Sequence, residues 1–350
     1  MDTKMLTWNE KKEAAALLKK GELVAFPTET VYGLGGIASS EEAFKKLVEA
    51  KRRSPEKPFT LMCSSLTQAV GYVEIDVKAA AVMQAFMPGQ ITLLCKPRES
   101  IPELVHLASP YIGIRIPDNP EVLELIDFVN EPLLVPSANL AGDPACLTAD
   151  SVKKIFGGKI AGIVEGECAS GEASTIVALS ENGLQLIRKG PVPFEEIQGV
   201  YDSASLSVSL GADHGGYILK ESIKKHLKER GFVVLDEGTN DISSVDYPIY
   251  GEKAARDVAE KKAKLGIVVC TSGEGIMMAA NKVPGIRCGL GYDDVATGKC
   301  REHNNANMIA FGQSYMKEED VLRRVDIFLT EKFSVLEKHH RRVEEIAKIC

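Results

Sequence analysis

The run Cys270-Thr271-Ser272-Gly273-Glu274-Gly275 follows the apolar stretch LGIVVC. A strand ending in cysteine places a thiol where the chain turns toward the start of the next helix, a position that favours negative charge. The glycines let backbone N–H groups approach an anion closely. A thiolate base beside such a nest suits removal of a proton α to a carbonyl, through an enediolate. Three further groups carry compatible chemistry: Asp213-His214-Gly215-Gly216, Asp246-Tyr247-Pro248 and His303-Asn304. A histidine such as His303 has the chemistry to open a cyclic sugar, by moving a proton between the anomeric hydroxyl and the ring oxygen. Taken singly, each residue has a plainer reading. Cys270 alone is a small buried hydrophobe, Asp213 alone a turn cap, and His303 alone a core histidine.

A second constellation precedes it. The chain has no Walker A loop and no GxGxxG, yet it groups hydroxyls and cations in Pro27-Thr28-Glu29-Thr30-Val31-Tyr32-Gly33 and Lys51-Arg52-Arg53-Ser54-Pro55-Glu56-Lys57-Pro58. Ser137-Ala138-Asn139, Ser174-Thr175 and Arg188-Lys189-Gly190 follow. A triphosphate bound without a P-loop needs several cations and hydroxyl donors converging on one cavity. Lys51, Arg53 and Lys57 alternate around a Ser-Pro turn and are spaced to face one side. Singly, the charge run reads as a solvated loop, and the TET and SAN runs read as strand-end turns.

The elements that must position these groups differ between the halves. Up to about residue 200, helices at 9–20 and 40–52 mix with strands at GELVAFPT, FTLMCSS, QITLLCKP, GIRIPDNP, LLVPSAN, AGIVEG, STIVAL and LQLIRKG. That pattern predicts an α+β unit with a mixed twisted sheet. From SVSLGADHGG onward, strands alternate with helices of 10–15 residues, ending in a helix over about 317–331. This predicts a doubly wound, Rossmann-like parallel sheet with its ligand loops at the carboxyl ends of the strands. The stretch 197–205 reads as a short linker, so the expected domains are 1–203 and 204–350.

Composition agrees with two folded units and excludes other classes. A chain of 350 residues is long for one core. Residues 1–203 hold 20 basic and 27 acidic side chains, a charge of −7, and the remainder balances at 22 each. Neither half is globally basic, which argues against sequence-independent nucleic-acid binding as the main task. The eight cysteines form no CxxC and fit no zinc spacing, so reduced thiols in a cytoplasmic protein are expected. The N-terminal run is too charged for a signal peptide, and no apolar run is long enough to span a membrane.

The run GADHGGYILKESIKKHL, with DYP, VVCTSGEGIMMAANKVPGIRCGL and REHNNANMIAFG, resembles the RpiB family of ribose 5-phosphate isomerases over about 206–350. That family includes allose- and galactose-6-phosphate isomerases. The resemblance implies aldose–ketose isomerisation without a cofactor or metal. It makes Cys270 the proton-transfer base and His303 the ring-opening residue. Asp213, His214, Tyr247 and Asn304 would line the sugar-phosphate site, with Ser272, Gly273 and Gly275 around the enediolate. It also implies a homodimer or tetramer whose sites are shared between subunits. Three positions depart from the family pattern: Thr271 for a glycine, Ser314 for an arginine, and Lys338 for the first of two tail arginines, of which Arg342 is kept.

The runs FPTETVYGLGG, KRRSPEKPF, PGQITLL, GIRIPDNP, VPSANLAGDP and STIVAL resemble the YrdC domain of threonylcarbamoyl-AMP synthases over about 10–200. The resemblance implies that L-threonine, bicarbonate and ATP, the last with Mg²⁺ on its phosphates, give threonylcarbamoyl-adenylate and pyrophosphate for tRNA modification. Lys51, Arg53, Lys57, Arg115, Ser137, Asn139 and Arg188 would hold the nucleotide, with Ser174 and Thr175 near it. Thr28, Thr30 and Tyr32 would shape the threonine end. Gln90 stands where the family has a proline. The expected function is therefore a bifunctional enzyme. The alternatives are one active half, an isomerase for another sugar phosphate, or a first half that serves as an RNA-binding module.

Overall fold

A computed structural model describes residues 2–54, 56, 58–180 and 182–349. These fall into two compact units, one of Met1–Glu74 with Ala85–Asp202 and one of Ile75–Gln84 with Ser203–Cys350.

The first unit holds a mixed sheet of ten strands among the described residues. Its order is Lys4–Leu6, Gly162–Val164, Val24–Pro27, Tyr32–Ile37, Leu133–Leu134, Leu61–Met62, Ile112–Arg115, Ile91–Cys95, Thr175–Ser180 and Gly183–Arg188. Val24–Pro27 runs antiparallel to Tyr32–Ile37 and parallel to Gly162–Val164. Every residue of Val24–Pro27 and Tyr32–Ile37 is buried, because the sheet centre has cover on both faces. Helix Glu41–Lys51 starts where the Ser40 hydroxyl accepts from the Ala43 amide at 3.1 Å. It stops where Arg52 turns left-handed, at φ 49°. That stop makes Lys51 the last helical residue.

The second unit is the doubly wound parallel sheet that the alternation predicts. Its five strands lie in the order Val233–Asp236, Ser207–Ala212, Leu265–Cys270, Met308–Gly312, Cys288–Leu290, all parallel. Alternate residues of the central strand feed two cores. Ile267 and Val269 pack with Leu219, Ile223 and Phe328, whereas Val268 and Cys270 pack with Ala254, Val258 and Ile276. This is the period-two geometry of a strand covered by helices on both faces.

Two sequence readings need correction. Most of the stretch read as a linker, 197–203, is helical, within Phe194–Ser203, and Ile197 is its fully buried anchor. A single buried residue leaves too weak a period to detect. The chain also does not end on the helix Glu318–Thr330. A further helix, Glu337–Ala347, follows, with His339 as its buried residue. Among the described residues, no helix is long and apolar enough to cross a membrane.

Candidate active sites

In the first unit a cavity of about 530 Å³ is lined by Thr28, Tyr32, Lys51, Arg53, Arg115, Ser137, Ser174 and Arg188. The fold thus brings together four of the cations read from the sequence. Lys57 lies outside the described residues.

How these groups are held decides what they can do. The Lys51 ammonium donates to Ser137 O at 2.5 Å, Asn139 O at 2.6 Å and Asn139 Oδ1 at 2.9 Å. All three of its protons are engaged on the Ser137–Asn139 turn. Burial, with Arg53 nearby, lowers its pKa to about 8. Asn139 does not line the cavity. Its amide donates to Leu140 O and Asp143 O, so it builds the turn that Lys51 grips. Arg53 is held more loosely, 3.4 Å from Pro58 O and 5.2 Å from the Phe59 ring centroid. Arg188 directs Nε and Nη2 to Ser174 O, at 3.1 and 2.8 Å. Burial and the nearby Arg115 lower its pKa. Ser174 Oγ meets Thr92 Oγ1 at 2.9 Å, whereas Thr175 turns away and donates to Val192 O.

The threonine-rich loop forms a directional chain. Thr28 Oγ1 donates its one proton to Val31 O at 2.7 Å. Its 2.9 Å contact with Thr30 Oγ1 must therefore be donated by Thr30. Thr30 in turn accepts from Arg115 Nη2 at 2.6 Å. The same guanidinium pairs with Glu29 Oε1 at 2.7 Å, and both side chains are buried. Glu29 Oε2 and Arg115 Nε have no partner. Sequence reasoning missed Glu29. Its one signal was its place between Thr28 and Thr30, and only the fold shows it to be the counterion of Arg115. Tyr32 presents its ring to the cavity, because its hydroxyl is engaged by Val164 O and Gly166 O. Burial pushes that hydroxyl's pKa far up.

In the second unit, close glycine contacts show three loops converging at the carboxyl edge of the sheet. A Cβ on Gly215 would lie 2.2 Å from Thr271 Oγ1, and one on Gly275 would lie 2.9 Å from the Tyr247 ring. The buried Cys270 Sγ accepts from the Gly273 amide at 3.1 Å. Gly273 takes φ +84°, a left-handed conformation that suits glycine. Asp213 is buried and caps the Gly216 amide at 3.0 Å, and burial raises its carboxyl's pKa. His214 Nδ1 sits 3.2 Å from both Val245 N and Val245 O. Ser272 Oγ accepts from the Glu274 amide.

His303 and Asn304 do not join this cluster. They end the helix Asp294–Asn304, which leads into the amino end of the strand Met308–Gly312. Met308 is level with Gly266, and Gly312 with Cys270. Four residues of strand, about 13 Å, therefore separate the two edges. His303 instead stacks on His339, with ring centroids 4.2 Å apart and planes 13° from parallel. Lys338 and Arg342 flank His339 on the tail helix and act on its charge. Among the described residues, no recorded hydrogen bond, ion pair or ring contact links this second cluster to Cys270.

Comparison with known proteins assigns each unit. The family model described as Telomere recombination (Sua5/YciO/YrdC) matches residues 16–190. The model described as Ribose/Galactose Isomerase matches residues 208–346. The threonylcarbamoyl-AMP synthase of Pyrococcus abyssi is 38% identical over 189 residues, covering 53% of this chain and 56% of that protein. The chain thus spans little more than half of that relative. Ribose-5-phosphate isomerase B of Mycobacterium tuberculosis is 39% identical over 146 residues, 41% of this chain and 90% of that protein. The crystal structure of Escherichia coli YciO superposes with a TM-score of 0.52 at 22% identity, over 56% of this chain and 98% of YciO, a likeness of fold.

Proposed function

This chain belongs to the Sua5/YciO/YrdC family over residues 16–190 and to the ribose/galactose isomerase family over residues 208–346, and on that premise we propose two activities in one polypeptide. The first half condenses L-threonine, bicarbonate and ATP into threonylcarbamoyl-AMP, pyrophosphate and water, for tRNA modification. The observation that carries this reading is the convergence of Lys51, Arg53, Arg115 and Arg188 on one cavity. The unit has a formal charge of −7, so this is a local inversion of its sign. A cavity of 530 Å³ is of ordinary size for a small-molecule site.

Threonine nitrogen first takes up the carboxyl carbon of bicarbonate, and water leaves. A carbamate oxygen then bonds to the α-phosphorus as the bond to pyrophosphate breaks. The protein's part is positioning and charge neutralisation. Arg53, loosely held, is free to move onto the phosphates. Lys51 contributes its charge while bracing the Ser137–Asn139 turn. Arg115 lies at the end shaped by Thr28 and Thr30, suited to a carboxylate. Mg²⁺ enters on the phosphates of the ATP substrate, as MgATP.

The second half interconverts ribose 5-phosphate and ribulose 5-phosphate without a cofactor. Cys270 Sγ removes the C2 proton, Ser272, Gly273 and Gly275 surround the enediolate, and the proton returns at C1. His214 and Tyr247 line the sugar, while Asn304, Lys338 and Arg342 meet the phosphate end. Because Cys270 and His303 belong to opposite edges of one sheet, a second copy completes each site, and the working form is a dimer or a multiple of it. Thr271 stands against Gly215 and narrows the loop after Cys270. Free cysteines suit a reducing, cytoplasmic setting.

The purified chain should release pyrophosphate from ATP only when threonine and bicarbonate are both present. Hydrolysis that ignores threonine sinks the first assignment. It should also interconvert the two pentose phosphates, and Cys270→Ala should abolish this. A wild type inert on every aldose 5- or 6-phosphate removes the second assignment.

A further inference from the structure

We propose that His339, on the tail helix, is a positioning residue that sets the orientation and protonation state of the ring-opening His303. The inference rests on the isomerase reading above, in which His303 must begin neutral. Its imidazole accepts the anomeric hydroxyl proton, the C1–O4 bond breaks as C1=O1 forms, and the imidazolium returns a proton to O4. A ring already charged cannot take the first proton.

The geometry is specific. The two imidazoles lie 4.2 Å apart and 13° from parallel, and His339 is 3% exposed although its helix is otherwise largely solvated. A surface helix that buries one histidine against another does not gain much apolar area by doing so. What the contact provides is a flat wall against one face of His303, which limits rotation of that ring. Neighbouring contacts hold the wall in place. Ser334 N donates to Glu302 O at 2.9 Å, and His340 sits on Ser334 O at 2.8 Å and on the Phe333 ring at 4.4 Å.

The charged groups facing His303 are Glu302 and Lys299 from its own helix and His339 and Lys338 from the tail. Glu302 Oε2 is 3.7 Å from Nε2 and favours the charged ring. Burial outweighs it, and Lys299, His339 and Lys338 add repulsion, so the pKa of His303 is lowered. Two of the three repelling groups come from the tail helix. Neutral His303 therefore persists to lower pH than it would without the stack.

The test is an NMR titration of the His303 ring C2–H in the full-length protein, in wild type, His339→Phe and His339→Ala, with His303→Gln to assign the signal. His339→Phe keeps a flat buried ring, so His303 should still protonate below the ordinary range. His339→Ala removes wall and burial, so His303 should protonate at higher pH. In the same proteins, the acid limb of kcat/KM for ribose 5-phosphate should move upward only in His339→Ala. The rate below pH 6 should fall about threefold or more, while the rate at pH 8 stays within about twofold. An unchanged His303 titration in a folded His339→Ala overturns the proposal. So does a uniform loss at all pH values, which would mean a purely structural role. If wild type isomerises no sugar phosphate, the functional reading fails on its own, while the titration still decides whether the stack controls His303.

Discussion

Lys51 ends its helix with every ammonium proton donated to the Ser137–Asn139 turn. The residue type predicts a cation at a phosphate site, but its protons are already committed. A triphosphate meets it first as a charge. Its pKa of about 8 makes that charge pH-dependent. The sign follows directly: below about pH 8 the ammonium is present, and above it the charge is lost. ATP affinity measured by calorimetry should therefore weaken as pH rises through about 8, and Lys51→Arg should remove that limb, since arginine stays charged. A flat profile from pH 7 to 9.5 in wild type would show that the three acceptors hold the proton regardless of burial. Glu29 makes the complementary point. A buried guanidinium with a single carboxylate partner leaves Arg115 Nε without an acceptor, and a carboxylate-bearing substrate supplies that kind of group.

Elements decide which residues can share a site. The loop after Cys270 takes its shape from Gly273, which adopts φ +84° with Phe311 backbone 2.8 Å from where its Cβ would be. Gly273→Ala should cost about 1–2 kcal/mol in left-handed strain, with more for the clash. Isomerase turnover should fall by more than about tenfold while pyrophosphate release is unchanged. Normal isomerisation by this variant would mean that the Cys270–Gly273 contact is dispensable. The tail helix shows the limit of pattern reading. Its apolar residues are few, its one buried side chain is a histidine, and nothing in a hydropathy period separates that histidine from its exposed neighbour His340.

At the scale of the whole molecule, the second unit takes in Ile75–Gln84, a segment more than a hundred residues from the rest of it. Val77 belongs to the core cluster with Leu227, Phe232 and Phe328. Val77→Ala in the full chain should therefore destabilise the isomerase unit by about 1–3 kcal/mol. The check is a urea titration read by isomerase activity, and an unchanged midpoint would show that the segment adds nothing to that core. A fragment cut at 204 lacks this residue and should share the defect.

Much was legible in the chain itself. The change from mixed strands to regular strand–helix alternation, the glycine-bounded Cys270 loop and the clustered cations and hydroxyls follow from local periodicity and residue chemistry. Those features identify two units and the reaction types their residues suit. Partners were not legible, because they depend on register and on the direction in which each element runs. A helix preceding a parallel strand ends at that strand's amino edge, which puts His303 opposite Cys270 and beside His339. The same long-range packing gave Lys51 its three acceptors, Arg115 its buried counterion, and the second core its distant Val77. The sequence by itself determined which chemistry-bearing residues each unit holds. Only the tertiary structure decided which of those groups meet within one chain, since contacts between residues far apart along the backbone are set by sheet order and helix packing.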